Sequence, residues 1–185
     1  AVSMAEKELS ICKQLKTDCV LPYLHLGSAY LALDSSMQAK KAFNLAYEQI
    51  KISKDISKHQ NFLFYLLCDY SELGETQRAK ECFSLIEINP LIDYSAFACM
   101  AFAQYYESSN QNDSATIYCK RILEDGTDID NMYDAAKLLY RICKKTGNRE
   151  DAGKYADIYM QLSDSLDFGK RQELAATVNN EYQYH

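Results

Sequence analysis

Five alanines set the frame of this chain. Ala5, Ala39, Ala79, Ala115 and Ala152 recur at intervals of 34, 40, 36 and 37 residues. Large residues sit at fixed offsets around them. Tyr23, Leu26 and Tyr30 precede Ala39, and Leu63, Leu66 and Tyr70 precede Ala79. Cys99, Phe102 and Tyr106 precede Ala115, and Ala136, Leu139 and Cys143 precede Ala152. Phe43, Phe83, Cys119 and Ala156 each follow their alanine by four residues. Offsets of three and four belong to one face of a helix. A period of about three dozen residues is the length of two helices and their turns. One such pair cannot bury its apolar face alone, so neighbouring pairs must stack.

The first unit reads Tyr23-Leu24-His25-Leu26-Gly27-Ser28-Ala29-Tyr30, followed by Ala39, Phe43 and Ala46. It resembles the tetratricopeptide repeat (TPR) family, with Tyr in the slot that usually holds Trp. Later copies depart from the pattern: cysteines replace aromatics in the third and fourth, and Tyr140 stands in the glycine slot. The resemblance covers residues 5 to 164. It implies an all-α fold, a right-handed α-solenoid of antiparallel helix pairs with a small residue where the two helices of a pair cross. The expected organisation is one domain over 1–185. It would hold a half repeat at 1–17, repeats near 20–54, 57–90, 91–126 and 129–164, and a C-terminal capping helix at 165–185. Helices are expected at 2–17, 20–33, 36–54, 57–73, 75–88, 91–109, 111–124, 129–146, 149–163 and 165–184. Turn residues punctuate them: Asp34-Ser35-Ser36, which offers an N-cap, then Gly74, Asn89-Pro90, Ser109-Asn110, Gly126-Thr127 and Thr146-Gly147-Asn148.

The net charge of −6 argues against nucleic acid as a partner, since that role needs a concentrated basic face. The longest apolar run, Ala96 to Ala103, is eight residues; a membrane-spanning helix needs ~20. The N-terminus has neither an initiator Met nor the pattern of a signal peptide, so the chain reads as a piece of a longer protein. Leu166, Leu174, Val178 and Tyr182 form an apolar stripe on the last helix. The run from Asp164 to Tyr184 resembles the ends of TPR ectodomains in bacterial membrane-anchored regulators. That second resemblance implies a regulatory, signalling protein with an anchor beyond this region. It leaves the compartment open between extracytoplasmic and cytoplasmic.

The seven cysteines show no Cys-x-x-Cys pair and read as buried thiols serving as small hydrophobes. The P-loop, nucleophile-elbow and zinc-helix motifs are absent from the sequence. Asp125, Asp128, Asp130 and Asp134 surround Gly126 but lack the twelfth-position Glu of a calcium loop. Helix capping accounts for them better. The expectation is therefore a chain that is not an enzyme and takes no cofactor or metal.

The resemblance implies that the first helix of each repeat lines a concave groove. The binding residues it implies are Asn61, Phe64 and Cys68 in the second repeat, Phe97, Met100 and Gln104 in the third, and Lys137, Arg141 and Lys144 in the fourth. In the first repeat Leu24 and Ser28 replace the Lys and Asn with which co-chaperone members hold a carboxylate, so that clamp is missing. With Lys145, the fourth set shares one helix face. Two readings stand for it. It anchors an acidic group of a bound peptide, or it is a solvated face paired with carboxylates such as Glu150 or Asp151. The first gives a non-catalytic scaffold for a protein or peptide partner with an acidic segment. A rival is a sensor that holds a small molecule or short peptide in a pocket lined by Phe64, Phe97 and Met100. A third reading is a thiol enzyme acting through Cys68.

Overall fold

The computed structural model describes residues 1–86 and 94–183, those from 168 on as backbone. The described residues form α1 (Val2–Leu15), α2 (Val20–Leu31), α3 (Ser36–Ile52), a 3-10 turn (Ile56–His59), α4 (Gln60–Glu72) and α5 (Thr76–Leu85). They continue as α6 (Ala96–Ser108), α7 (Asn112–Asp125), α8 (Ile129–Thr146) and α9 (Arg149–Gln183). None of the described residues is in a β-strand. The expected Asn89-Pro90 turn lies outside the described residues. So do the side chains of the stripe at Leu174, Val178 and Tyr182.

The chain packs as two compact units that divide inside α6. The first holds α1 to α5 and Gln104–Asn110. The second holds Tyr94–Ala103 and α7 to α9.

Within four pairs, α2–α3, α4–α5, α6–α7 and α8–α9, the helices run antiparallel. In the first unit Cys19 N–H donates to Gln49 Oε1 across α2 and α3 (3.2 Å), and Gln60 Nε2 donates to the Leu85 carbonyl across α4 and α5 (3.3 Å). In the second, the rings of Phe102 and Tyr118 meet at 5.1 Å between α6 and α7. Those of Tyr133 and Tyr159 meet at 4.8 Å between α8 and α9.

Four turns between paired helices share one geometry. Asp34, Gly74, Asn110 and Gly147 all have a left-handed backbone, with φ of 53°, 68°, 59° and 78°. Each lies five residues before a framing alanine. Gly, Asn and Asp are the residues that tolerate this conformation. Three of the turns close identically: the N–H of Ser35, Glu75 and Asn148 donates to the carbonyl of Tyr30, Tyr70 and Cys143, at 2.9, 2.8 and 3.0 Å. This is the Schellman closure, which satisfies the carbonyls left open at a helix end. The second helix then starts with the alanine donating to the residue four before it: Ala39 to Ser35, Ala79 to Glu75, Ala115 to Gln111 and Ala152 to Asn148.

The alanines carry the register inward. Ala39, Ala79 and Ala115 are completely buried, Ala5 is 3% exposed and Ala152 9%. In the first unit Gly27 lies against the fully buried Phe43, and Tyr70 meets Phe43 edge-on at 6.4 Å. Tyr70 has its hydroxyl satisfied by Asn44 Oδ1 at 2.8 Å, as a buried phenol requires. Arg78 covers the Tyr47 ring at 5.1 Å and pairs with Glu48 and Glu81. In the second unit Phe102, Ile122 and Leu139 are almost fully buried.

Three expectations need correction. The break between a fourth repeat ending at 164 and a separate capping helix from 165 does not occur, because α9 runs unbroken from Arg149 to Gln183. No glycine or proline interrupts residues 160–167, and Ser165 Oγ donates back to the Gln161 carbonyl at 3.0 Å instead of opening a new helix. Ser35 precedes α3 without capping it, because its hydroxyl turns back to the Leu33 carbonyl. Finally, Cys12 and Cys68 are half-buried, and only the other five cysteines are buried.

Candidate functional site

Helix α8 is split lengthwise by its sequence. Ala135, Ala136, Leu138, Leu139, Ile142 and Cys143 are buried. Asp134, Lys137, Arg141, Lys144 and Lys145 fall between them and are exposed. Both ends of the helix are firmly closed. At the start, Asp128 Oδ1 accepts from Asn131 N–H at 3.0 Å and its Oδ2 accepts from Asn131 Nδ2 at 2.8 Å. These bonds hold its carboxyl below the usual carboxylate range. Capping, the role expected of the acidic cluster, is therefore what Asp128 performs. At the end, Gly147 supplies the left-handed stop, and Lys144 and Lys145 lie in the last turn.

The cations stand over aromatic rings of their own helix. Lys137 Nζ is 5.8 Å from the Tyr133 ring centre and Lys144 Nζ is 5.4 Å from that of Tyr140, each one turn ahead. Tyr133 is fixed in turn by α9, where its hydroxyl donates to the Tyr159 hydroxyl at 3.1 Å. That bond pushes the Tyr133 phenol up, with Asp134 and Asp167 adding to it. Neither Glu150 nor Asp151 answers the lysines. Asp151 accepts from Asn148 Nδ2 at 2.7 Å while Asn148 Oδ1 accepts from Asp151 N–H, a reciprocal cap on α9. Among the described residues, no carboxylate lies within ion-pair distance of Lys137 or Lys144.

The other sequence-derived candidates fall in both units. Asn61, Phe64 and Cys68 share one side of α4 in the first unit: Asn61 is exposed, Cys68 half-buried and Phe64 buried. Gln104 belongs to the same unit, and its Oε1 is buried without a hydrogen-bond partner among the described residues. Phe97 and Met100 belong to the second unit, half-buried and buried respectively. Of the nine candidates, Lys137, Arg141 and Lys144 are the three that present charge to solvent along one helix.

Two features escaped the sequence reading. One is the Tyr-x-x-x-Lys spacing that seats Lys137 on Tyr133 and Lys144 on Tyr140, which was legible as two pairs four residues apart. The other is Asp69 on α4. Burial, with Glu72 adding repulsion, pushes its carboxyl up to about 7. No sequence signal distinguishes it from an exposed helix aspartate, because its burial is set by neighbours distant in the chain.

Comparison with known proteins adds no relative: no family model, no curated protein and no solved structure matches this chain.

Proposed function

We infer that this chain is a non-catalytic TPR-like scaffold, a right-handed solenoid region that binds a protein or peptide partner, and that the α8 face holds an acidic segment of that partner. The fold half of this reading is supported by the alanine register and by the four equivalent left-handed turns. The binding half is carried by one observation. Lys137 and Lys144 stand in solvent on aromatic platforms, with no carboxylate partner among the described residues, in a protein of net charge −6. Like charges one or two turns apart repel, and an incoming carboxylate relieves that repulsion. The ring beneath each ammonium limits the side-chain freedom lost on binding. Such a region suits the interaction or input part of a larger bacterial regulator.

Panning a random peptide library against the chain tests the reading. Peptides with clustered Asp and Glu should be enriched. Their binding should weaken with added salt and drop at least tenfold against the Lys137→Glu, Lys144→Glu double variant. Enrichment indifferent to this charge reversal overturns the acidic-partner reading.

A further inference from the structure

Helix α3 carries an apolar stripe on the face turned away from its core. Ala39, Ala42, Phe43, Ala46, Tyr47 and Ile50 are buried. Met37, Leu45 and Ile52 stand on the other side, 71%, 49% and 80% exposed. A single apolar residue in solvent is ordinary, but three in one row along a helix ask for a cover. At the slot of Met37, two residues before the framing alanine, the other second helices carry Gln77, Asp113 and Glu150. The stripe therefore belongs to α3 and not to the repeat.

Two charges complete the row. Lys41 follows Met37 by four residues and Glu48 precedes Ile52 by four, which sets both on the same face. Lys41 is exposed, and among the described residues no carboxylate lies within ion-pair distance of it. Glu48 rests its Oε1 on Arg78 Nη1 at 3.3 Å and keeps half of its side chain in solvent. Along the helix the row reads apolar, cation, apolar, anion, apolar. Turned end for end, it keeps its apolar residues in place and exchanges its cation with its anion.

We propose that two copies of this chain form a two-fold dimer through α3, with their α3 helices antiparallel. In that pairing the two Leu45 side chains meet at the axis. Met37 of each copy packs on Ile52 of the other, and Lys41 of each faces Glu48 of the other. A parallel pairing would set lysine on lysine and glutamate on glutamate, which repel. An unrelated partner would need a matching row of its own, whereas a second copy brings it by symmetry. The seam lies in the first unit and uses none of the α8 cations. Three apolar residues from each copy make it narrow, so the dimer is weak, with a Kd of ~10 μM.

Sedimentation equilibrium of the full chain, at concentrations on both sides of that Kd, tests the dimer. The wild type should pass from monomer to dimer and stop there, because an isologous contact closes on itself. Ile52→Asp should stay monomeric throughout, and Lys41→Glu should weaken the dimer at least tenfold. Both side chains are exposed, so circular dichroism and the denaturant midpoint of the dilute monomer should keep their wild-type values. Adding Glu48→Lys to Lys41→Glu should recover most of the loss, since the exchanged charges face their opposites only in the antiparallel pair. A wild type that stays monomeric, a dimer indifferent to Ile52→Asp and Lys41→Glu, or a Lys41→Glu loss that Glu48→Lys does not recover overturns the proposal.

Discussion

The α2–α3 crossing and the α8–α9 crossing solve one packing problem with opposite residues. In the first, the slot on the leading helix is Gly27 and the slot facing it is Phe43; a methyl at Gly27 would overlap the Phe43 ring. In the last pair, the same two slots hold Tyr140 and Ala156, both half-buried. Large and small have changed sides, while the alanine between them, Ala39 or Ala152, stays buried. A close-packed interior constrains the summed volume at a contact more than it constrains which side supplies it. What recurs in this chain is therefore the alanine and the left-handed turn, not the aromatic.

The sharpest break of this comparison comes from a glycine-to-alanine change in each pair. Gly27→Ala forces Phe43, buried on all sides, to move. It should lower stability by about 3 kcal/mol, the upper range for overpacking. Denaturant midpoints measure it, and a loss below about 1 kcal/mol would show that the α2–α3 contact has slack. In the last pair, Gly153→Ala on α9, at a different slot, is the mildest change and has the opposite sign. No atom lies within 4 Å of an added Cβ there. It should stabilise by about 0.7 kcal/mol through helix propensity alone.

Between these extremes lie two aspartates with opposed titrations. Asp69 in the first unit has its carboxyl raised from an ordinary 3.8 to about 7. The folded chain therefore holds a proton there that the unfolded chain has released. Stability is full below about pH 4 and falls as pH rises toward 7. Asp69→Asn should raise stability at pH 8 by about 2 kcal/mol, with allowance for its partial exposure, and should have little effect at pH 4. Equal effects at both pH values would show that burial does not tax the charge. Asp128 in the second unit is held below its ordinary range by the Asn131 N–H. Its contribution is present at neutral pH and fades on acidification below about 4. Asp128→Ala should cost about 1 kcal/mol at pH 7, the usual worth of a helix cap. Thermal melts across pH 2–8 separate the two slopes.

Much of the helix plan was readable in advance, because helix ends are local. The four left-handed residues of the turns within the helix pairs are Asp34, Gly74, Asn110 and Gly147, types that adopt this backbone at little cost, and each stands five residues before an alanine. The exposed basic face of α8 was readable from its spacing for the same reason. The continuity of α9 was not, because Asp164-Ser165 reads as readily as a cap as it does as helix interior; the Ser165 hydroxyl chose the interior. Nor was the burial of Phe64 and Met100, which depends on neighbours brought in by packing.

Spacing along the chain determined the helix pairs, their turns and the alanine register, since each depends on residues within a few turns of one another. Tertiary packing alone decided which carboxyl loses its water, as Asp69 does, and which side of a crossing carries the bulk. Burial and side-chain proximity depend on what arrives from elsewhere in the fold, and a linear pattern carries no record of that.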